Sequence, residues 1–301
     1  MNKRLIVILG PTAVGKTALS IQLAKKYNAE IVSADSRQFF KELNIGTAKP
    51  SPDELNEVPH HFINSHSIDE GLNVGRYEEE AIALINTLFQ TKDIIFLVGG
   101  SGLYINAVCY GIDDLPEGNE ILRNELNETF RNKGIIALQE QLKELDAVYY
   151  QQADLANPHR IIRALEVSII SGKPYSSFRV RQKKERIFNT IKIGLNRPRT
   201  VLYEQINTRV DTMIKEGLIE EAKSLFHKKY INALRTVGYS ELFEYFEGTI
   251  TKKEAVNKIK QNTRHYAKRQ ITWFRKDAEI EWFDPSELDR IVEFIEEKNK
   301  T

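Results

Sequence analysis

Eight consecutive residues near the start of the chain have the types and spacing of a phosphate-binding loop. They are Gly10, Pro11, Thr12, Ala13, Val14, Gly15, Lys16 and Thr17, and they fit the pattern G-x-x-x-x-G-K-[ST]. In such a loop, backbone N–H groups surround phosphate oxygens at the start of a helix, the lysine adds positive charge, and the Thr17 hydroxyl binds Mg²⁺. We therefore expect a site for a di- or triphosphate with magnesium here.

Asp35 is the candidate for proton transfer or metal binding. Residues 30–34 predict a strand, so Asp35 follows its carboxyl end, where open α/β sheets assemble their sites. A carboxylate there helps to hold Mg²⁺ in a nucleotide-hydrolysing enzyme, whereas in a transfer to nitrogen it accepts the proton of the attacking amine. A helix cap or a turn is the structural alternative. The residue and its position leave all three roles open.

The apolar pattern predicts the elements that must position these residues. Apolar runs at residues 5–9, 30–34, 94–98, 191–195 and 280–283 predict strands, and helical spacing is found at residues 16–27, 76–92, 121–178, 199–226 and 251–276. Strands that alternate with helices indicate an α/β fold, here a P-loop NTPase-like parallel sheet core with a mostly helical insertion domain. We place the catalytic core, with basic C-terminal helices, at residues 1–114 and 190–301, and the insertion at residues 115–189.

Composition excludes some classes of protein and favours others. No apolar stretch approaches the ~20 residues of a membrane-spanning helix, and the lone Cys109 cannot form an internal disulfide. We therefore expect a cytoplasmic monomer without a membrane partner, with Cys109 as a small buried side chain. The net charge of +1 conceals an asymmetry, because residues 160–276 contain 26 Lys and Arg against 11 Asp and Glu, and the remainder carries −14. Such a basic region is typical of a polyanion-binding surface.

Several longer segments of the sequence resemble segments of one protein family and occur in the same order along the chain. They are residues 33–38 (SADSRQ), 44–50 (NIGTAKP), 58–61 (VPHH), 97–104 (LVGGSGLY), 160–167 (RIIRALEV), 238–239 (GY) and 267–275 (AKRQITWFR). In these blocks, and over about residues 4–283 as a whole, the chain resembles the tRNA dimethylallyltransferase (isopentenyltransferase) family. The resemblance implies transfer of a dimethylallyl group from its pyrophosphate to the exocyclic N6 amine of adenosine 37 in the anticodon stem-loop of tRNA, with release of pyrophosphate.

The same resemblance assigns roles to individual residues. Asp35 becomes the general base and a partner of the adenine, and Arg235 helps to neutralise the leaving pyrophosphate. Ser101 keeps a hydroxyl where the family usually has threonine, so its bond to substrate is retained. The tRNA-contacting residues implied in this way are Asp35, Ser36, Arg37, Gln38, Ser101, Arg123, His159, Arg160, Ile161, Ile162 and Arg163.

A basic ridge is predicted on the helix at residues 251–276. At ~100° per residue, five cations fall in one narrow arc, namely Lys253, Lys260, Arg264, Lys268 and Arg275. Such a ridge can follow a phosphate backbone, so Lys260, Arg264 and Lys268 are added to the tRNA-binding set. A solvated surface is the alternative for each of these residues taken singly.

Some residues depart from the family pattern, and other functions share parts of it. Arg37, Phe39-Phe40 and residues 73–77 differ from the usual family residues, which bears on the prenyl pocket.

A nucleotide kinase would share the phosphate loop, but residues 99–101 (GGS) supply no acidic residue for its metal. An adenylate prenyltransferase would share the core without needing the insertion, and an RNA-binding module would not need the phosphate loop. His60-His61 lacks a third ligand at useful spacing, so a loop role is expected.

Overall fold

The computed structural model describes residues 3–180 and 182–300, and it divides them into two compact units. The larger unit comprises the residues up to Tyr110 and those from Glu185 onward, and the smaller unit is Gly111–Lys184. Within the described ranges, none of the helices combines the length and apolar character needed to cross a bilayer.

A six-stranded parallel sheet is the centre of the larger unit. Its strands are β1 (Arg4–Leu9), β2 (Ile31–Ser33), β3 (His60–His61), β4 (Ile94–Gly99), β5 (Asn189–Leu195) and β6 (Ile280–Phe283), in the order β3-β2-β4-β1-β5-β6. Every paired strand runs parallel to its neighbour. All six residues of β1 are buried, because helices cover both faces of the sheet. The sheet confirms the predicted α/β fold.

The helices follow the predicted pattern, with several interruptions. They are α1 (Lys16–Lys26), α2 (Pro52–Glu57), α3 (Val74–Leu88), α4 (Gly102–Tyr110), α5 (Glu120–Leu145), α6 (Ala147–Gln152), α7 (Pro158–Ser171), α8 (Arg199–Lys215), α9 (Leu218–Leu225), α10 (Tyr239–Phe246), α11 (Lys252–Phe274) and α12 (Leu288–Lys300). The single helix predicted for residues 199–226 is wrong. It is divided between α8 and α9 at Gly217, where φ is +106°, and α5 is likewise kinked at Gly134, where φ +75° and ψ −177° are not helical.

The smaller unit has its own apolar core. Within its described residues it consists of α5, α6, α7 and a short 3₁₀ helix, with Leu138, Leu142 and Leu165 fully buried among them. Asn157 caps α7 by accepting from the Arg160 N–H, and Pro158 occupies the first helical position, where its missing N–H costs nothing. These local signals explain why a helix begins immediately before the basic residues His159, Arg160 and Arg163 of α7.

The carboxyl ends of four strands bring the candidate site residues to one edge of the sheet. The phosphate loop follows β1, Asp35 follows β2, Gly100-Ser101 follows β4 and Asn196 follows β5. Because parallel strands end at the same edge, segments separated by more than a hundred residues in sequence become neighbours there.

Candidate active site

The phosphate loop is tightly folded against the end of β5. A Cβ at Gly10 would lie 2.6 Å from the Leu195 carbonyl oxygen, so only glycine fits. Gly15 has φ +109° and leads directly into α1. Across the loop, the Lys16 ammonium donates to the carbonyl oxygens of Gly10 at 3.0 Å and Pro11 at 2.9 Å. These contacts place a cation at the N-terminus of α1, as phosphate binding requires.

Lys16 belongs to a group of three interacting charges. Burial lowers the pKa of Lys16 to about 8; the Asp35 carboxylate opposes this shift and the Arg209 guanidinium adds to it. Burial also lowers the pKa of Arg209, again against the attraction of Asp35. The structure therefore joins Lys16, Asp35 and Arg209 electrostatically, although they come from α1, the end of β2 and α8.

Sequence reasoning missed Arg209. Its neighbours Ile206 and Val210 are buried on the inner side of α8, so a basic residue there faces inward rather than toward solvent. An arginine next to the apolar positions of an amphipathic helix was the available signal. Arg235, chosen instead on the resemblance, is exposed after a short 3₁₀ helix, and no hydrogen bond or ion pair of its side chain is found among the described residues.

Asp35 lies in a polar cluster on the β2–β4 side of the phosphate loop. One carboxylate oxygen accepts from the Arg37 N–H at 3.0 Å, which is the turn role considered above. The Ser101 hydroxyl accepts from the Ser36 N–H at 3.1 Å and donates to the Ser36 hydroxyl at 3.1 Å. Ser36 and Ser101, from different strand ends, are thus brought together beside Asp35.

Tyr266 of α11 completes this cluster and was not among the predicted site residues. Burial, with the charge of Asp35 as a second cause, raises the pKa of Tyr266 to about 12, while its hydrogen bond with Ser101 acts in the opposite direction. The phenol therefore stays protonated at neutral pH and can donate a hydrogen bond.

Gln270, one turn further along α11, joins the phosphate loop to the segment after β4. Its side-chain oxygen accepts from the Thr12 N–H at 2.8 Å, and its nitrogen donates to the Gly100 carbonyl oxygen at 2.9 Å. The side chain is 6% exposed. A Cβ at Gly100 would lie 2.2 Å from the Gln270 nitrogen, and one at Gly102 would lie 2.3 Å from the Trp273 indole nitrogen. The face of α11 formed by Tyr266, Gln270 and Trp273 therefore fixes the Gly100–Gly102 turn.

The segment that contains residues 44–49 is held by one carboxylate. Glu221 accepts from the N–H groups of Asn44, Ile45 and Gly46 at 2.9–3.1 Å and from the Tyr239 hydroxyl at 2.6 Å. Burial and the charge of Glu221 raise the pKa of Tyr239 well above its usual value. The predicted Gln38 supports the same segment by donating to the Thr47 and Ala48 carbonyl oxygens, rather than pointing into solvent.

A cavity of about 910 Å³ opens between this segment and α8. Ala13 of the phosphate loop and Arg209 line it, and Ile45, Leu55 and Met213 provide apolar surface. Phe39 and Phe40 do not line it. Phe39 is fully buried and stacks on Tyr77 with ring centroids 4.9 Å apart. The Phe39-Phe40 departure from the family pattern is therefore accommodated in the core and not in the cavity.

In the smaller unit, two of the predicted tRNA contacts are engaged in ion pairs. Arg123 and Arg163 both donate to the fully buried carboxylate of Glu166, at 2.6 Å and 2.7 Å. These bonds hold the pKa of Glu166 below its usual value although burial alone would raise it. His159 and Arg160 are exposed at the start of α7 and are available to a partner.

The other two predicted contacts in α7 need correction. Ile161 and Ile162 are 0% and 5% exposed and pack in the core of the smaller unit. Their side chains cannot reach RNA, because the helix turns that face toward α5.

On the predicted α11 ridge, Lys260 and Arg264 contact α8, whereas Lys253, Lys268 and Arg275 are exposed. Lys260 pairs with Asp211 at 2.6 Å, and Arg264 donates to the Asn207 side chain at 2.7 Å and lies over the Tyr203 ring. Lys268 remains exposed. The arc of cations follows helical geometry as predicted, but two of its three selected members contact a neighbouring helix.

The paired histidines belong to the edge of the sheet. His60 contacts the Val58 carbonyl oxygen at 2.7 Å, and His61 pairs with Glu30 at 2.7 Å, in the two-residue strand β3. Across the described ranges, no group of three or more His, Cys, Asp or Glu side chains could hold a metal ion.

Comparisons with known proteins found a matching family and similar relatives. A family model described as IPP transferase matches residues 38–277. The chain is 51% identical to a tRNA dimethylallyltransferase of Christiangramia forsetii, with 100% of both chains covered. It is 48% identical to a tRNA dimethylallyltransferase of Cytophaga hutchinsonii, with 99% of this chain and 98% of the relative covered.

Two solved structures extend the comparison to the fold. The full-length tRNA isopentenylpyrophosphate transferase of Bacillus halodurans matches with a TM-score of 0.71 and 37% identity over 99% of each chain. A eukaryotic dimethylallyltransferase acting on tRNA matches with a TM-score of 0.78 and 26% identity, over 96% of this chain and 75% of that one.

Proposed function

Because the chain belongs to the IPP transferase family, we propose that it transfers a dimethylallyl group from dimethylallyl pyrophosphate to the N6 amine of adenosine 37 in the anticodon stem-loop of tRNA. The observation that carries this proposal is the geometry around the phosphate loop. Lys16 bonds within the loop, Arg209 lines the same cavity as Ala13 of the loop, and Asp35 follows β2 with one carboxylate oxygen bonded to the Arg37 N–H. This geometry supplies two cations for a departing pyrophosphate and one carboxylate for the proton of an amine. A site for phosphate binding alone would not need the carboxylate.

On the donor side, the reaction breaks the bond between the allylic carbon and the pyrophosphate oxygen, and negative charge builds on that oxygen. The N–H groups of the phosphate loop, Lys16 and Arg209 are placed to stabilise this charge before it forms. The Thr17 hydroxyl would help to hold Mg²⁺, which would add further positive charge at the phosphates. The apolar part of the 910 Å³ cavity, at Ile45 and Met213, suits the prenyl chain.

On the acceptor side, a bond forms between the adenosine N6 and the allylic carbon, and the amine loses one proton. Asp35 accepts that proton through the carboxylate oxygen that does not bond the Arg37 N–H. The hydroxyls of Ser36, Ser101 and Tyr266 surround this position and can orient the adenine. An adenosine within a base-paired or stacked strand must leave the stack to reach Asp35. We also propose that the enzyme acts as a monomer in the cytoplasm.

The test is direct. The protein is incubated with labelled dimethylallyl pyrophosphate, Mg²⁺ and unmodified tRNA, with AMP as the alternative acceptor and a nucleotide–ATP pair as a test of kinase activity. Label is expected in tRNA at adenosine 37 and in neither control. Prenylation of AMP in preference to tRNA would replace this proposal with a small-molecule transferase, and phosphate transfer would replace it with a kinase.

A further inference from the structure

Glu221, in the first turn of α9, uses its whole hydrogen-bonding capacity on one distant segment and one phenol. One carboxylate oxygen accepts from the N–H groups of Asn44 and Ile45, at 3.1 Å and 2.9 Å. The other accepts from the Gly46 N–H at 3.0 Å and from the Tyr239 hydroxyl at 2.6 Å. An ionised carboxylate offers about four acceptor positions, so this one has none left for a ligand.

The segment that Glu221 holds, residues 44–48, combines a close contact with a strained residue. A Cβ at Gly46 would lie 2.5 Å from the Tyr239 ring, so the segment lies directly against that ring. Ala48 ends the short 3₁₀ helix of this segment with φ +48° and ψ +52°, a left-handed conformation that alanine adopts only at a cost. Such conformations persist where surrounding contacts impose them, most often at functional sites. The segment is therefore held in a defined and costly shape.

Gln38 connects this segment to the turn that contains Asp35. The Gln38 side-chain nitrogen donates to the carbonyl oxygens of Thr47 at 3.2 Å and Ala48 at 3.1 Å. The Gln38 backbone N–H donates to the Asp35 carbonyl oxygen at 3.2 Å, and the neighbouring Arg37 N–H donates to one Asp35 carboxylate oxygen at 3.0 Å. A continuous series of contacts within the larger unit thus joins α9 to the Asp35 carboxylate.

We propose that Glu221 is a positioning residue of the transfer reaction, which fixes the direction of the Asp35 carboxylate through residues 44–48 and Gln38. This proposal rests on the function proposed above, in which Asp35 accepts the proton of the amine. The accepting oxygen must lie roughly 2.6–3.2 Å from that amine, and a displacement of about 1 Å lowers the rate of transfer. A purely structural residue would instead change the amount of folded enzyme and leave the rate of each folded molecule unaltered.

Three variants separate positioning from folding. Glu221→Gln keeps the size of the side chain but replaces one of its acceptor oxygens with an NH₂ group, which cannot accept from the groups it faces. Glu220→Gln is the matched control, because Glu220 is exposed and removes the same charge from the same turn of α9. Tyr239→Phe removes only the phenol bond and serves as the milder variant if Glu221→Gln folds poorly. Each variant is also made in an Asp35→Asn background.

Single-turnover prenyl transfer is measured at saturating donor and tRNA and is expressed per tRNA-binding site, so that unfolded protein does not count. The rate should fall roughly 10-fold to 10²-fold in Glu221→Gln and a few-fold in Tyr239→Phe, and it should not change in Glu220→Gln. In the Asp35→Asn background, Glu221→Gln should cause no further loss, because the carboxylate that it positions is already absent. A normal rate in Glu221→Gln, or an equal further loss in the Asp35→Asn background, would overturn the proposal.

Amide hydrogen exchange tests the same connection without any substrate. Glu221→Gln should speed exchange of the N–H groups of residues 44–46 and also of the Arg37 N–H, which bonds the Asp35 carboxylate. Faster exchange confined to residues 44–46 would show that the effect does not reach Asp35 and would overturn the proposal. Since this measurement needs no turnover, it decides the role of Glu221 even if no prenyl transfer is found, a result that would refute the proposed function instead.

Discussion

The larger and the smaller unit each contain one carboxylate with two cations, and the two clusters differ in how directly the carboxylate bonds those cations. In the smaller unit, Glu166 accepts from Arg123, Arg163 and the Asn119 N–H, so its buried charge is fully compensated. In the larger unit, Lys16 and Arg209 are both shifted toward their neutral forms by burial, and Asp35 compensates them only partly. We call the Glu166 cluster matched, because its carboxylate bonds both cations directly, and the Lys16 cluster unmatched, because its buried cations are only partly compensated. A matched cluster holds the local structure together, whereas an unmatched cluster can bind a further charged group.

The largest effect is expected from Asp35→Asn, which removes the proton acceptor from the unmatched cluster. The amide oxygen keeps the bond from the Arg37 N–H, so the turn is preserved. Single-turnover prenyl transfer should fall by roughly 10²–10⁴, while tRNA affinity changes only a few-fold. Rapid-quench measurements at saturating donor provide the rate. Near-normal transfer would reduce Asp35 to a turn residue.

Arg209→Gln tests whether the second cation acts on the leaving group. Turnover should fall about 10²-fold, since one preorganised donor to a developing oxyanion is lost. The resemblance chose Arg235 for this role, so Arg235→Gln is the paired variant. The structure leads us to expect the greater loss from Arg209→Gln, because Arg209 is coupled to Lys16 and Asp35. The reverse ranking in kcat would restore Arg235 to the site.

Lys16 should give donor binding a dependence on pH. Its folded pKa of about 8 lies below its usual value of 10.5, so the ammonium is mostly charged at pH 7 and mostly neutral at pH 9. Pyrophosphate affinity should therefore decrease by about tenfold as pH rises through 8, through loss of a charged hydrogen bond. Lys16→Ala should bind more weakly at pH 7 and lose this dependence. A parallel pH profile in the alanine variant would assign the titration to another group.

Glu166→Gln disturbs the matched cluster and should affect stability rather than catalysis. The amide cannot compensate two guanidinium groups, so opening of the smaller unit should become easier by about 2 kcal/mol. Hydrogen exchange of amides in α5 and α7 measures this, with prenyl transfer as the functional control. Transfer that falls as strongly as in Asp35→Asn would contradict the division between the two clusters.

The smallest effect is expected on the α11 ridge. Lys260, Arg264 and Lys268 changed together to Gln should lower the slope of log K for tRNA against log salt by only about 0.7–0.9, the value for one phosphate contact. Lys260 and Arg264 are engaged with α8, so Lys268 alone is free to contact RNA. A decrease of 2 or more would show that tRNA displaces α8 contacts, and an unchanged slope would exclude the ridge.

The parts of the molecule that follow from local sequence were predicted, and those that depend on distant contacts were not. The five longer strands are apolar runs that can be predicted from the sequence. By contrast, β3 has only two residues and forms because it pairs with β2. Gly217 was a local signal that the predicted helix overlooked. The phosphate loop can be predicted from eight adjacent residues, whereas the hydrogen bond between Gln270 and Thr12 joins residues 258 positions apart in the sequence. No sequence motif relates residues that far apart. The positions of Arg209, Tyr266 and Gln270 in the site could therefore be found only from the folded structure.

The packing of Gln270 on Gly100 has a consequence for how the sequence can diverge. A side chain at position 100 would displace the Gln270 amide from its hydrogen bonds, and a shorter residue at position 270 would remove the partner of the Thr12 N–H and of the Gly100 carbonyl. A single substitution at either position should therefore lose these hydrogen bonds. The two should be inherited as a pair, so that lineages differing at one of them also differ at the other.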